Sequence, residues 1–372
     1  MARPNWVLAL GIFIVSGLGT AVAVEPPAIF EMGFSGLRAA ELAPNEQQFA
    51  ALAFQITKPG VVPVEIQIWD FRKRTLVRDR HFETNIPSKV LSTAHIRYSA
   101  DGVLLAVYVG GGTVHVFRAS DLQQLNQIPL ELSSAEVSGF EISPSSHVLA
   151  VRRSLGRGGD LRLYDLDSGK ELRDWPISEG FLSELYRVSP VAWRGDGGLL
   201  ATTAPDDAPC TRFGGTIYVF DPNAAKPVKL FRVHYLPGSL AFGTDEKLYV
   251  ASMTCGGYFA HWTTDLPVFE ARSGRQIGKI PAQQVGIRRT IAVAQDKTTL
   301  LAYADREKTT FEGFEDTLKI NDAQWQVLDA STGHVFFSIP ATEYDESLLS
   351  KSGHFLLNVT TDKLRIFSVP SR

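Results

Sequence analysis

The side chains with the richest chemistry gather in three stretches of the second half of the chain. Residues Ala204 to Gly215 carry Asp206, Asp207, Cys210 and Arg212. Residues Thr254 to Asp265 carry Cys255, Tyr258, His261 and Trp262. Residues Asp305 to Gln324 carry Glu307, Glu312, Phe314, Glu315, Asp316 and Asp322. Carboxylates at that density are the donors a hard divalent cation takes. The third stretch matches no calcium-loop spacing, however, and Lys308 and Lys319 dilute its charge, so it reads as a solvated acidic loop. Phe311 and Phe314 within it call for a surface to fold against, on this chain or on a partner. His261 has no carboxylate or second histidine at ligand spacing, and the eight histidines do not cluster. His115, between Val114 and Val116, reads as a sheet residue with its polar atoms satisfied. No nucleophile elbow, P-loop or dinucleotide fingerprint is present. The chemistry therefore points to recognition. No catalytic residue, metal or cofactor is expected, and Asp206, Asp207, Arg212, Tyr258, His261, Trp262, Phe314, Glu315 and Asp316 are the expected binding residues.

Two short motifs lose their obvious meaning in context. Arg194-Gly195-Asp196 occupies a turn that recurs along the chain. Asn358-Val359-Thr360 is a glycosylation sequon at a strand end and is given no weight.

The elements that must position these residues repeat. In Ile96 to Asp121 an apolar strand ends in the turn Ser99-Ala100-Asp101-Gly102, a second runs from Val103 to Val109, Gly110-Gly111-Gly112 turns again, and Val114 to Phe117 is a third. The unit returns seven times, in blocks of roughly 41–83, 95–131, 139–178, 189–233, 239–282, 290–340 and 346–370. The long second strands are apolar on both faces, as in a sheet sandwiched between neighbours. The third strands end in an aromatic residue and an acid at Trp69-Asp70, Tyr164-Asp165, Phe220-Asp221 and Phe269-Glu270.

On these turns and strand ends the chain resembles the seven-bladed β-propellers of the WD40-like and YVTN-like kind, in a secreted bacterial form. It departs from them in having no Gly-His dipeptide opening its blades and only one Trp-Asp. The resemblance implies an all-β fold of seven four-stranded antiparallel blades. The seventh repeat lacks an outer strand, so residues 28–34 are expected to supply it and close the ring. The resemblance also places the three chemistry-rich stretches, as loops between second and third strands, on the same face. Cys210 and Cys255 then project from neighbouring blades and are expected to form a disulfide. Propellers of this kind also include enzymes, so the alternative to a protein- or ligand-binding module is a lactonase or quinone-dependent dehydrogenase with its site at the channel mouth.

Composition sets the remaining bounds. The chain has 372 residues and a net charge of −3, which gives no footprint for nucleic acid or an anionic membrane. Arg3, the apolar run Trp6 to Leu18 and Ala21-Val22-Ala23 form a signal peptide over residues 1–23; an uncleaved anchor is the other reading of the same residues. The mature protein, 24–372, is expected to be a single monomeric domain in the periplasm or outside the cell. It is expected to have no membrane span and to meet a protein or glycan partner through its long-loop face.

Overall fold

A strand whose even and odd positions are both apolar must bury both faces, and the chain builds seven sheets that do so. The computed structural model describes residues 25–371 apart from 56–59, 87–93, 131–135, 155–157, 179–189, 206–213, 235, 257–258, 263–264, 282–285, 297, 309–318 and 343–344. A first strand, β1 (Phe30–Gly33), stands apart from the first blade. That blade is β2 (Leu37–Leu42), β3 (Gln48–Phe54), β4 (Gly60–Asp70) and β5 (Thr75–Ile86). The second is β6 (His95–Tyr98), β7 (Leu104–Tyr108), β8 (Thr113–Arg118) and β9 (Gln124–Pro129). The third is β10 (Glu136–Ile142), β11 (Val148–Ser154), β12 (Gly158–Asp165) and β13 (Glu171–Ser178). The fourth is β14 (Val191–Trp193), β15 (Leu200–Pro205), β16 (Gly215–Phe220) and β17 (Lys229–Val233). The fifth is β18 (Leu236–Phe242), β19 (Lys247–Gly256), β20 (Phe259–Trp262), β21 (Asp265–Glu270) and β22 (Arg275–Pro281). The sixth is β23 (Gly286–Val293), β24 (Thr299–Lys308), β25 (Lys319–Asp329) and β26 (Val335–Pro340). The seventh is β27 (Glu346–Leu349), β28 (Phe355–Val359) and β29 (Lys363–Ser368), completed by β1. The fold is an all-β, seven-bladed propeller of antiparallel blades.

Among the described residues, seven apolar cores lie between the blades, one at each interface. Alternate residues of one strand feed different cores: Leu105 and Val107 of β7 pack toward the first blade, and Leu104, Ala106 and Tyr108 toward the third. The same division continues around the ring to the interface where Phe30 and Phe34 meet Phe49, Phe71, Leu357 and Ile366. All five residues of β7 are buried, which accounts for the missing polar alternation.

The recurring turns have a local cause. In the turns after the first strands, Asn45 Oδ1 accepts from the N–H of Gln47, Asp101 Oδ1 from Val103, Asp196 Oδ1 from Gly198 and Asp296 Oδ1 from Thr298. Gly102 and Gly197 take the left-handed conformation there, with φ of 75° and 73°. The acids that end the third strands cap the next turn in the same way. Asp70 accepts from the N–H of Lys73, Asp165 from Ser168, and Asp329 from Ser331 and Thr332. Asp196 is also clasped by Arg194, which reaches Glu246 of the next blade, so the Arg-Gly-Asp tripeptide is spent on the fold.

The ring closes with the N-terminal strand. β1 pairs antiparallel with β29 in the register Phe30↔Ile366 to Gly33↔Lys363, as expected. Phe30 is 3 % exposed and stands edge-on to Phe49 at 5.4 Å.

The structure corrects two readings, one on the long stretches and one on His115. The stretches 254–265 and 305–324 are not irregular loops throughout. β20 folds back on β19 (Cys255↔Ala260), and β24 and β25 stay paired as far as Lys308↔Lys319. The outer strand of the first blade, β5, is twelve residues long. Asn358 is fully buried, accepting from Arg365 and donating to Ser347, so the sequon is closed to modification. His115 is buried against Phe82 at 4.8 Å, and neither ring nitrogen has a partner at normal hydrogen-bond geometry. Burial pulls its pKa below the usual histidine value despite the nearby Gln124 amide. Cys210, half of the expected disulfide, lies outside the described residues, as does the signal segment 1–23.

Closure and turn geometry each set a stability prediction. Phe30→Ala will cost about 3–5 kcal/mol by removing a buried ring from the closing interface, and deleting residues 25–34 will cost more; thermal melts check both. His147 is held between Asp101 and Asp167, at 2.9 Å to each. Partial burial works to lower its pKa, but hydrogen bonds and charge from the two carboxylates outweigh it and raise the pKa above the usual 6.5. Its contribution is therefore complete below about pH 6.5, the unfolded value, and is lost as pH rises through the folded pKa. The melting-temperature gap between wild type and His147→Gln should close as pH rises from about 6.5 through the raised folded pKa; a constant gap would contradict the clamp.

Candidate functional site

The first strands of successive blades stand beside one another around the axis. In each, one residue lies two positions before the turn residue whose N–H closes the first turn. These are Glu41, Arg97, Glu141, Ala192, Ala241, Ala292 and Leu348. Three consecutive blades thus place charges on the ring, and the other four place small or apolar groups.

The three charges are joined. Arg97 donates through Nε and Nη2 to Glu141 Oε1, at 3.0 and 2.9 Å, and through Nη1 to the carbonyl of Ile96 at 3.0 Å; Glu41 Oε2 lies 3.4 Å away. Glu141 also fixes the third blade to the fourth, its carbonyl accepting from Trp193 Nε1 at 3.2 Å. Lys351, in the first turn of the seventh blade, reaches past the first blade to donate to the carbonyl of Ala100 at 3.1 Å. The cluster lies at the short-turn end of the channel, opposite to the face expected to carry function.

Its electrostatics arise from partial withdrawal from water. Burial pushes the Glu41 carboxyl up to about 7, with Arg97 and Lys351 opposing the rise and Glu141 adding to it. Against its own burial, Arg97 is held firmly protonated by the two carboxylates. Burial lowers the Lys351 pKa, opposed by Glu41 and Asp101. The result is a charge-paired cluster in which burial brings the Glu41 carboxyl up to about 7.

A second charged group lies in the third blade, where β11 ends and β12 begins. Arg153 forks onto Asp160, which also meets Arg162 at 3.1 Å; Arg162 in turn reaches Glu171 at 2.7 Å and Asp174 at 3.2 Å. Arg152 is fully buried, donates to the carbonyl of Asp160 at 3.0 Å, and has its pKa brought down to about 10 by burial.

Of the residues expected to bind, Asp206, Asp207, Arg212, Tyr258, Phe314, Glu315 and Asp316 lie outside the described residues. His261 and Trp262 fall on β20, opposite Thr254 and Met253. Sequence reading missed both charged groups, although each had a signal. Aligning the turns puts Glu41, Arg97 and Glu141 at one repeat position. Arg152 and Arg153 interrupt a second strand that is otherwise apolar.

These features define the chain as a seven-bladed β-propeller with a charge-paired channel. No family model matches it, and no curated protein is similar enough to count as a relative.

The cluster predicts two outcomes. Arg97→Ala strands two partly buried carboxylates and should cost about 3–5 kcal/mol. Glu41 has its folded pKa raised above the usual carboxylate value, so the folded state keeps a proton that the unfolded state has released. Its contribution is complete below about pH 4.5 and is lost as pH rises to about 7. The stability difference between wild type and Glu41→Gln, measured by urea melts, should shift in favour of the variant across that window and level off above it.

Proposed function

We propose that this propeller is an exported, non-catalytic binding module whose long-loop face takes a protein or glycan partner. The observation that carries the reading is the pair of β-extensions on the fifth and sixth blades. β19 and β20 pair from Met253↔Trp262 to Gly256↔Phe259. β24 and β25 continue through Arg306↔Asn321, Glu307↔Ile320 and Lys308↔Lys319. Residues otherwise borne on irregular loops are thereby mounted on hydrogen-bonded ribbons, which lowers the ordering cost of binding. His261 and Trp262 fall on β20, and Phe314, Glu315 and Asp316 lie in sequence between β24 and β25, outside the described residues. The aromatic and acidic residue types of these stretches suit a polar partner with exposed apolar or sugar faces. The signal-like residues 1–23 support export, and the even cysteine count suits an oxidising compartment.

One observation favours a second reading, a propeller enzyme working at the channel. A carboxyl titrating near neutrality beside an arginine, as at Glu41, has the properties of a general acid or base.

The natively exported protein, used as bait on envelope extract and on a glycan array, should retain a ligand that the double variant His261→Ala, Trp262→Ala loses and Glu41→Gln keeps. Turnover of a lactone or reduction of a quinone that Glu41→Gln abolishes would overturn the binding reading in favour of the enzyme.

A further inference from the structure

We propose that the outer ribbon of the first blade holds a divalent transition-metal ion, of the zinc class, between Glu65, Asp79 and His81. The three residues come from adjacent strands. Glu65 of β4 stands directly opposite His81 of β5, and Asp79 lies two positions along β5 on the same face. Their ligand atoms all lie within 4.8 Å of one another.

Two features of the geometry point to a shared cation. The first is convergence on one atom. His81 Nε2 faces both carboxylates, at 3.5 Å from Asp79 Oδ2 and 3.7 Å from Glu65 Oε1. A single ring nitrogen has one proton or one lone pair, so it can give a full-strength hydrogen bond to only one of the two carboxylates. The clamp at His147 shows the alternative within the same molecule: there Asp101 takes Nε2 and Asp167 takes Nδ1, each at 2.9 Å. The second is distance. Separations of 3.5 and 3.7 Å are long for a charged hydrogen bond. They are close to the edge of a tetrahedron drawn around zinc with bonds of about 2.0–2.1 Å, which is roughly 3.4 Å.

The surroundings fit the same reading. Gln67 donates to Glu65 Oε1 at 2.7 Å and accepts from Trp69 Nε1 at 2.7 Å, so the Glu65 carboxylate is oriented by the row beneath it. Among the described residues, no lysine or arginine forms an ion pair with Glu65 or Asp79; His81 is the basic group that meets them. An imidazole with two carboxylates selects a borderline ion such as Zn²⁺ or Ni²⁺ over Mg²⁺ or Ca²⁺, which take oxygen donors. Three protein ligands on a half-exposed ribbon leave the fourth position to water. Sequence spacing hid the site, because strand pairing joins residues sixteen positions apart.

Calorimetric titration of the untagged full chain with ZnCl₂ tests the proposal. One ion per chain should bind with micromolar affinity, and MgCl₂ should not compete. His81→Ala should weaken binding at least tenfold, and Glu65→Gln and Asp79→Asn should each weaken it several-fold. All three positions are at the surface, so matched circular dichroism and melting temperatures without metal will show that each variant folds. Failure of the wild type to bind zinc below millimolar concentration, or binding undiminished in all three variants, would overturn the assignment.

Discussion

Every blade is buried on both faces, and the rest of the molecule depends on that. A sheet that supplies alternate side chains to two different cores cannot satisfy either alone, so the smallest stable arrangement is the ring. Burial of apolar area at about 25 cal/mol per Å² is gained at seven interfaces together, and each interface needs the strands of two blades. The second strands carry the largest share of this load. In β7 every side chain is buried, and β3 and β28 differ only at their first residue. Polar residues therefore concentrate at the rims, the outer strands and the channel, and those set deeper, such as Arg153 and Asn358, are held by hydrogen bonds.

The charges on the channel ring show the consequence of partial burial. Arg97 stands between two blades that each offer a glutamate, so a cation in a poorly hydrated place is held by anions from both sides. Such a trio adds little net stability over well-packed apolar residues, but removing one member leaves the others stranded. It also pins the first three blades in one angular arrangement around the axis. The four remaining blades present alanine or leucine at the same level, so the ring is electrostatically one-sided.

The fold was legible because its determinants are local and repeated. An acid capping a turn, a glycine with positive φ and a doubly apolar strand are each readable within about ten residues, as Ser99 to Tyr108 illustrates. Closure by residues 30–33 was legible because an orphan strand at one end matched a missing strand at the other. The charged sites were less legible because they are made by pairing. Glu41 meets Arg97 across blades, and Glu65 meets His81 across strands, at separations that carry no motif. Loop length alone misled at 254–265 and 305–324, where polar sequences continue the ladder of hydrogen bonds beyond the apolar body. His115 looked ordinary because a small valine flanks it on each side, yet its environment is set by Phe82 from the strand pairs of another blade.

The pairing of Phe30 with Ile366 joins an early moment in the chain's history to a late one. Residue 30 leaves the ribosome long before its partner does. Until that partner emerges, the first blade lacks one of its two neighbours, and the edge of β1 has nothing to pair with. The nascent protein must therefore keep its earliest strand uncommitted while six blades accumulate behind it. Contacts this distant make for slow final assembly, and an unpaired strand edge is the usual route to association with the wrong chain. Arrest or cleavage of synthesis anywhere before residue 363 leaves an open arc with two exposed ends, so completeness of the propeller is checked by the geometry of the ring itself.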